Sequence, residues 1–272
     1  MGGIFGLDSP LMRGLNKFAD VMILNILVVI FAIPLLIEQL FLLGPILNGE
    51  AEFATTYVFY AWVFGIICCI PLGAALTAMH YVLLKVVRDE ESYVIKTFFK
   101  ACKENFKQAS VLMMIMFFVG GLLVVDVLLL GLSNALYRYL IVAASILIYF
   151  AALYVFPLQS KFENKISRTI KNSFLFAIMA LPRTVAMAVV TIIPLVLVYF
   201  FGLRVTPILF LFGFAGPGYL RAVLYNDTFK KFEPKEEALS EEQEIENAIK
   251  KVDEGMETES SGSKATSEET EN

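Results

Sequence analysis

Asp126 is the residue best placed to do chemistry, because it puts a carboxylate inside the apolar run Ala109–Leu132. An ionisable group at membrane depth is costly to hold, so each one is a functional candidate whose partner has to be named. Arg138 or Arg204, which follow the same ends of the apolar runs, would make Asp126 half of a structural ion pair. Otherwise it binds a proton or a cation, or simply holds an ordinary near-interface position. Asn25 lies in the run Val21–Leu43, where its side-chain amide can hold helices together. Gly73, Ala74, Ala75 and Ala78 are small enough to let helix backbones approach closely. Glu38, near the end of the first run, is expected to reach water. His80, shortly before the charged boundary at Lys85, reads as a hydrogen-bonded interfacial residue rather than a catalytic base.

The signatures of known catalysts are missing: the chain has no G-x-S-x-G elbow, P-loop, H-E-x-x-H or paired intramembrane carboxylates. Its three cysteines, Cys68, Cys69 and Cys102, form neither a CxxC nor a ligand cluster with the single histidine, and read as small packing residues. No catalytic, cofactor-binding or metal-ligating set is expected, and an enzyme is not the reading.

The elements that must position these residues are six apolar runs: 21–43, 57–84, 109–132, 139–158, 184–201 and 205–224. At about 1.5 Å per helical residue each can cross a hydrocarbon core about 30 Å thick. The composition is 58% hydrophobic and 18% charged, with a mean hydropathy of +0.71, which lies outside the range of a soluble domain. The expected fold is therefore an all-α integral membrane protein with six transmembrane helices. Pro34, Pro71 and Pro194 are expected to kink their spans, and Gly213, Gly216, Pro217 and Gly218 to weaken the last one. No cleavable signal peptide is expected, and Gly6 stands where N-myristoylation requires Ser or Thr.

The charges set the orientation. Arg13, Lys17, Lys85, Arg88, Lys96, Lys100, Lys103, Lys107, Lys161, Lys165, Arg168, Lys171 and Arg183 share one side, against only Arg138 and Arg204 on the other. Positive residues are retained in the cytoplasm, so both termini are expected there. Residues 233–272 carry fourteen acids and four lysines with almost no large hydrophobes. Such a tail is expected to be disordered, with at most a short helix over 236–252. The rest, residues 1–232, would be the transmembrane domain.

Two basic-side connections carry the remaining information. In the first, Ile95, Phe99, Cys102 and Phe106 recur at helical spacing beside Lys96, Lys100, Lys103 and Lys107. In the second, Phe162, Ile166, Ile170, Phe174 and Ile178 form the apolar stripe, and Lys161, Lys165, Arg168 and Lys171 the basic one. Both are expected to be amphipathic helices at headgroup level, touching either anionic lipid or a transport subunit. The contact residues would be Lys96, Phe99, Lys100, Phe106 and Lys107 in the first, and Lys165, Arg168 and Lys171 in the second. Tyr81-Val82 echoes Tyr154-Val155, and Ile95-Lys96 with Phe99 echoes Ile170-Lys171 with Phe174, the pattern of an internal repeat. Nucleic acid is not an expected partner, since the bases lie beside lipid and the free tail is acidic. The sequence leaves the oligomeric state open.

The opening MGGIFGLDSPLMRGLNKFAD, the stretch LGAALTAMHYVLLKVVRDEESYVIKTFFKACKENFKQA, and FPLQSKFENKISRTIKNSFLFAI followed by LPRTVAMAVV resemble the YesL-type family of bacterial membrane proteins. The resemblance implies a multi-pass protein of the bacterial plasma membrane, of undetermined activity, linked to carbohydrate uptake as an accessory or permease-like component. A scaffold or sensor without a transport path is the alternative. Neither loop holds the Glu-Ala-Ala…Gly signature that binding-protein-dependent permeases present to their ATPases. Residues 36–70 are extra relative to the family's usual pattern and are expected to add a crossing.

Overall fold

Long apolar runs in lipid can satisfy their backbone hydrogen bonds within one segment only as helices. The computed structural model describes residues 10–49, 54–90, 93–130 and 134–232. Along them run α1 (Pro10–Leu47), α2 (Ala54–Cys68), α3 (Ile70–Val87), α4 (Val94–Leu130), α5 (Ala135–Lys161), α6 (Ile166–Met179), α7 (Leu181–Phe201), α8 (Thr206–Phe212) and α9 (Ala215–Lys230). A 3-10 turn, Gly202–Val205, joins α7 to α8. Among the described residues five helices are long and apolar enough to cross a membrane, and α8 with α9, bent by 44°, counts as a sixth when the pair is taken as one span. The molecule is an all-α integral membrane protein. The helices belong to one compact unit; the chain from Phe232 onward is a second, and the acidic tail with its expected short helix lies outside the described residues.

Several spans depart from expectation. The run Tyr57–Leu84 is two helices, broken at Cys69, where Pro71 in the first turn of α3 brings no amide hydrogen to continue the ladder. In contrast, α1 runs unbroken through Pro34 and Pro45, and α7 through Pro194. Where no water can replace the ladder, losing one bond is cheaper than leaving the helix.

Residues 36–70 do not add a crossing. They supply about the last three turns of α1, the connection, and α2. Gln39 of α1 donates to the Ala61 carbonyl of α2 at 3.0 Å, while Lys17 of α1 meets Asp89, just past α3, at 2.8 Å. Thus α2 and α3 descend one after the other along the whole of α1. These residues lengthen both arms of one hairpin.

The first loop helix is not separate either, because it is the beginning of α4. Thirty-seven residues make a helix about 55 Å long, well beyond a hydrocarbon core of about 30 Å. The basic turns of α4 continue its apolar span without a break. They run antiparallel to α3, where Ser110 donates to the Ile70 carbonyl at 3.1 Å. The second loop helix, α6, is a distinct element that stops at Ala180 and is followed by α7 with Pro182 in its first turn.

Burial is concentrated in the basic half of this unit. There α3 packs against α1, α4, α5 and α9, and Leu24, Met79, Leu83, Phe98, Tyr154, Tyr225 and Phe229 are fully enclosed. The far half leaves Phe41, Tyr199 and Phe200 outward, with Tyr199 84% exposed, as suits side chains meeting lipid. Among the buried positions of α4 are Val94, Phe98, Ala101, Cys102 and Ala109, and seventy-five places on Thr169, Ser173, Phe176, Ala177 and Thr184 are buried too, whereas the counterparts of buried Ser110 and Val125, Val185 and Phe200, are exposed. The Ile95-Lys96/Ile170-Lys171 match keeps that spacing. Tyr81-Val82 and Tyr154-Val155 are two places out of step with it, and Tyr154 is enclosed where Tyr81 is only half-buried.

Candidate functional site

Helical periodicity put Ile95, Phe99, Cys102 and Phe106 on one stripe, and the structure splits it. Phe98 and Cys102 face the core, whereas Ile95, Phe99 and Phe106 are exposed beside Lys96, Lys100, Lys103 and Lys107. Phe31 of α1 sits against the base of this face, 5.9 Å from Phe98 and 6.3 Å from Phe99 between ring centroids. In α6 the stripe Phe162, Ile166, Ile170 and Phe174 is half-buried and Ile178 exposed, while the buried line is Thr169, Ser173, Phe176 and Ala177. Thr169, Ser173 and Ala177 share the buried face with one large side chain, Phe176, whose ring lies 6.0 Å from that of Tyr154 on α5.

What holds the two hairpins together is a knot of amides. Gln159 of α5, buried, donates to Gln108 Oε1 at 2.9 Å and Asn105 Oδ1 at 3.3 Å, both on α4. Its own Oε1 accepts from Thr169 of α6 at 3.3 Å. Above the knot opens a cleft of about 900 Å³ where Lys103 and Lys107 of α4 face Lys161 and Lys165 across Asn105, Gln108 and Asn164. Lys165, Arg168 and Lys171 line a smaller neighbouring hollow of about 590 Å³. Of the contact residues read from the sequence, Lys107 and Lys165 are thus brought to one cleft. Lys96, Phe99 and Lys100 lie outside it, and Lys100 leans to Glu104 at 4.0 Å. Two further cations pin α9: Arg88 donates to Asn226 at 2.8 Å, and Arg183 to Thr228 at 2.6 Å.

The intramembrane polar residues have other partners than charge matching suggests. Asp126 accepts the Tyr137 hydroxyl, not Arg138 or Arg204. Tyr137, in the first turn of α5, lies on Asp126 near the end of α4, while Arg138 lies over the Tyr139 ring, 5.6 Å from its centroid. Glu38 does not simply reach water, because Gln39 donates to one of its oxygens at 2.7 Å and the other is buried without a partner. Asn25, fully buried, donates to the carbonyls of Leu209 and Phe210 and accepts from the amides of Phe214 and Ala215. It closes the break between α8 and α9, and so uses the full capacity of a carboxamide.

Sequence reasoning passed over Arg221, which falls inside the run 205–224. It reaches His80 Nε2 at 3.4 Å, and His80 Nδ1 in turn meets the Tyr225 hydroxyl at 3.2 Å. A lone arginine in an apolar run, with tyrosine four places on, is the signal that was there to be used. The Gln108–Gln159 contact left no comparable signal, since only the hairpin packing brings the two together.

Asp89 lies outside the spans, at a left-handed backbone position with φ 56°. The hydrogen bond and charge of Lys17, with Arg13 beyond, hold its carboxyl below the usual carboxylate range. Among the described residues no group of three or more His, Cys, Asp or Glu is placed to hold a metal ion.

Apolar crossings, a closed basic half and basic hairpins define a polytopic α-helical membrane protein. Residues 21–127 match the model of a protein family of unknown function, DUF624. No curated protein and no solved structure matches the chain.

Proposed function

We propose that this protein acts by contact rather than by catalysis, as an accessory or permease-like component of a bacterial plasma membrane whose basic hairpins dock a transport subunit. The observation that carries the reading is the exposed face of Phe99 and Phe106, set among Lys96, Lys100 and Lys107. It lies on the basic turns of α4, which continue its apolar span. Aromatic side chains among cations form an anchor for a protein partner. The link to carbohydrate uptake rests on the YesL-type resemblance, and both termini stand in the cytoplasm on the count of basic residues.

A photo-reactive residue in place of Phe99 tests this in native membranes. Crosslinks to a transport subunit, above all a nucleotide-hydrolysing one, are the expected result. Crosslinks to lipid alone would sink it.

A scaffold or sensor with no path of its own is the second reading. It draws on how completely Leu24, Met79, Leu83, Tyr154, Tyr225 and Phe229 fill the basic half. Truncation after Phe232 separates the two, since a tail-driven scaffold loses its activity and a docking core keeps it.

A further inference from the structure

Arg221, His80 and Tyr225 hold more hydrogen-bond donors than their surroundings accept. Arginine is always charged and only donates, so the Nε2 of His80 that faces it at 3.4 Å must be the accepting nitrogen. The ring proton then sits on Nδ1 and is given to the Tyr225 oxygen at 3.2 Å. That leaves the Tyr225 hydroxyl hydrogen without an acceptor here. Arg221 Nε is also buried and has no partner. Tyr149, whose charge interaction with Arg221 comes from α5, donates its own hydroxyl to the Ala188 carbonyl at 3.1 Å.

Among the described residues no carboxylate pairs with this guanidinium. His80 is 2% exposed and Tyr225 fully enclosed, while Arg221 is half-buried with its Nε shut off from water. A cation in that position is stabilised by a paired anion and filled hydrogen bonds, and a buried unpaired donor carries the cost of desolvation.

We propose that these three residues form an oxyanion site that takes a phosphate group. One phosphate supplies both missing items, a negative charge and several acceptor oxygens, to the Arg221 fork and the Tyr225 hydroxyl. Arg221 and Tyr225 are four residues apart on α9 and therefore share a face. His80 lies about 10 Å along α3 from its basic end, a depth that the phosphate of a lipid headgroup or of a small solute entering from that side reaches. The site is independent of the docking face on α4, and either can fail without the other.

The full chain, purified in detergent without phosphate, is titrated with inorganic phosphate while its thermal midpoint is read against sodium chloride. In parallel it is placed in phosphatidylcholine nanodiscs with and without phosphatidylglycerol, and bound lipid is read by native mass spectrometry. Stabilisation by inorganic phosphate identifies a solute; retention of phosphatidylglycerol identifies a headgroup, and either supports the site. Arg221→Gln should abolish the response, and Tyr225→Phe should weaken it about tenfold while keeping the ring in place. Should Arg221→Gln fail to fold, Arg221→Lys keeps the charge without the fork and should also bind about tenfold more weakly. If neither probe acts on the wild type, or Tyr225→Phe and the Arg221 variant that folds respond like it, the assignment is overturned.

Discussion

The side-chain carbonyl of Asn25 accepts the backbone amide of Phe214 at 2.7 Å, although 189 positions separate the two residues. The same amide group reaches the Phe210 carbonyl at 2.7 Å. One side chain of α1 therefore stands in for the missing turn between α8 and α9. Asn25→Leu keeps the volume but strands these backbone groups, and should lower stability by about 2–4 kcal/mol. Denaturant unfolding in micelles measures it; a change within about 0.5 kcal/mol would mean the break is held by packing.

Phe98 and Phe99 are neighbours with opposite fates, one fully buried and the other exposed. Phe98→Ala should cost about 3 kcal/mol through the cavity it leaves. Phe99→Ala should stay within about 0.5 kcal/mol of the wild type while weakening any partner contact. Thermal melts of the two variants distinguish the faces, and equal losses would contradict the orientation of α4.

Gly73 allows α3 and α4 to touch: a Cβ there would run into the Ala109 carbonyl and the Met113 side chain. Gly73→Ala should destabilise by about 1–3 kcal/mol. Gly120 has nothing within 4 Å of that position, so Gly120→Ala should be neutral or stabilising by up to about 1 kcal/mol. Parallel unfolding curves give the comparison.

Asp89 ties the connection after α3 to Lys17 of α1 at 2.8 Å. Its carboxyl is held below the usual value of 3.8 when folded. The contribution is therefore fully present above that value and fades as the pH drops through the folded one. Asp89→Asn tolerates the left-handed backbone and removes the charge. Its thermal midpoint should lie below that of the wild type at neutral pH, and the gap should close on acidification below about pH 4. A gap that widens in acid would reverse the assignment.

Reporter tags after Asn48 and after Asn134 should both appear outside the cell, because each follows the far end of a crossing whose other end carries the lysines. A tag that reports the interior at either site would overturn the proposed orientation.

The order of residues was enough to settle the medium, and the number of passes to within one. Runs of apolar residues this long leave no alternative to helices in lipid, and the clustering of lysine and arginine at one end of those runs needs no coordinates to be seen. Period put Ile95, Phe99, Cys102 and Phe106 on one stripe, of which Cys102 is buried and the other three exposed. Which stripe turns inward emerged only from the packing of the helices. In water an apolar stripe must seek the core, whereas beside lipid and partner surfaces it is as well placed outside, and small residues such as Ala101 and Thr169 fill the close contacts instead. For the same reason Asp126 found Tyr137 and Arg221 found His80. Charge matching in one dimension cannot anticipate which side chains a hairpin carries back onto each other.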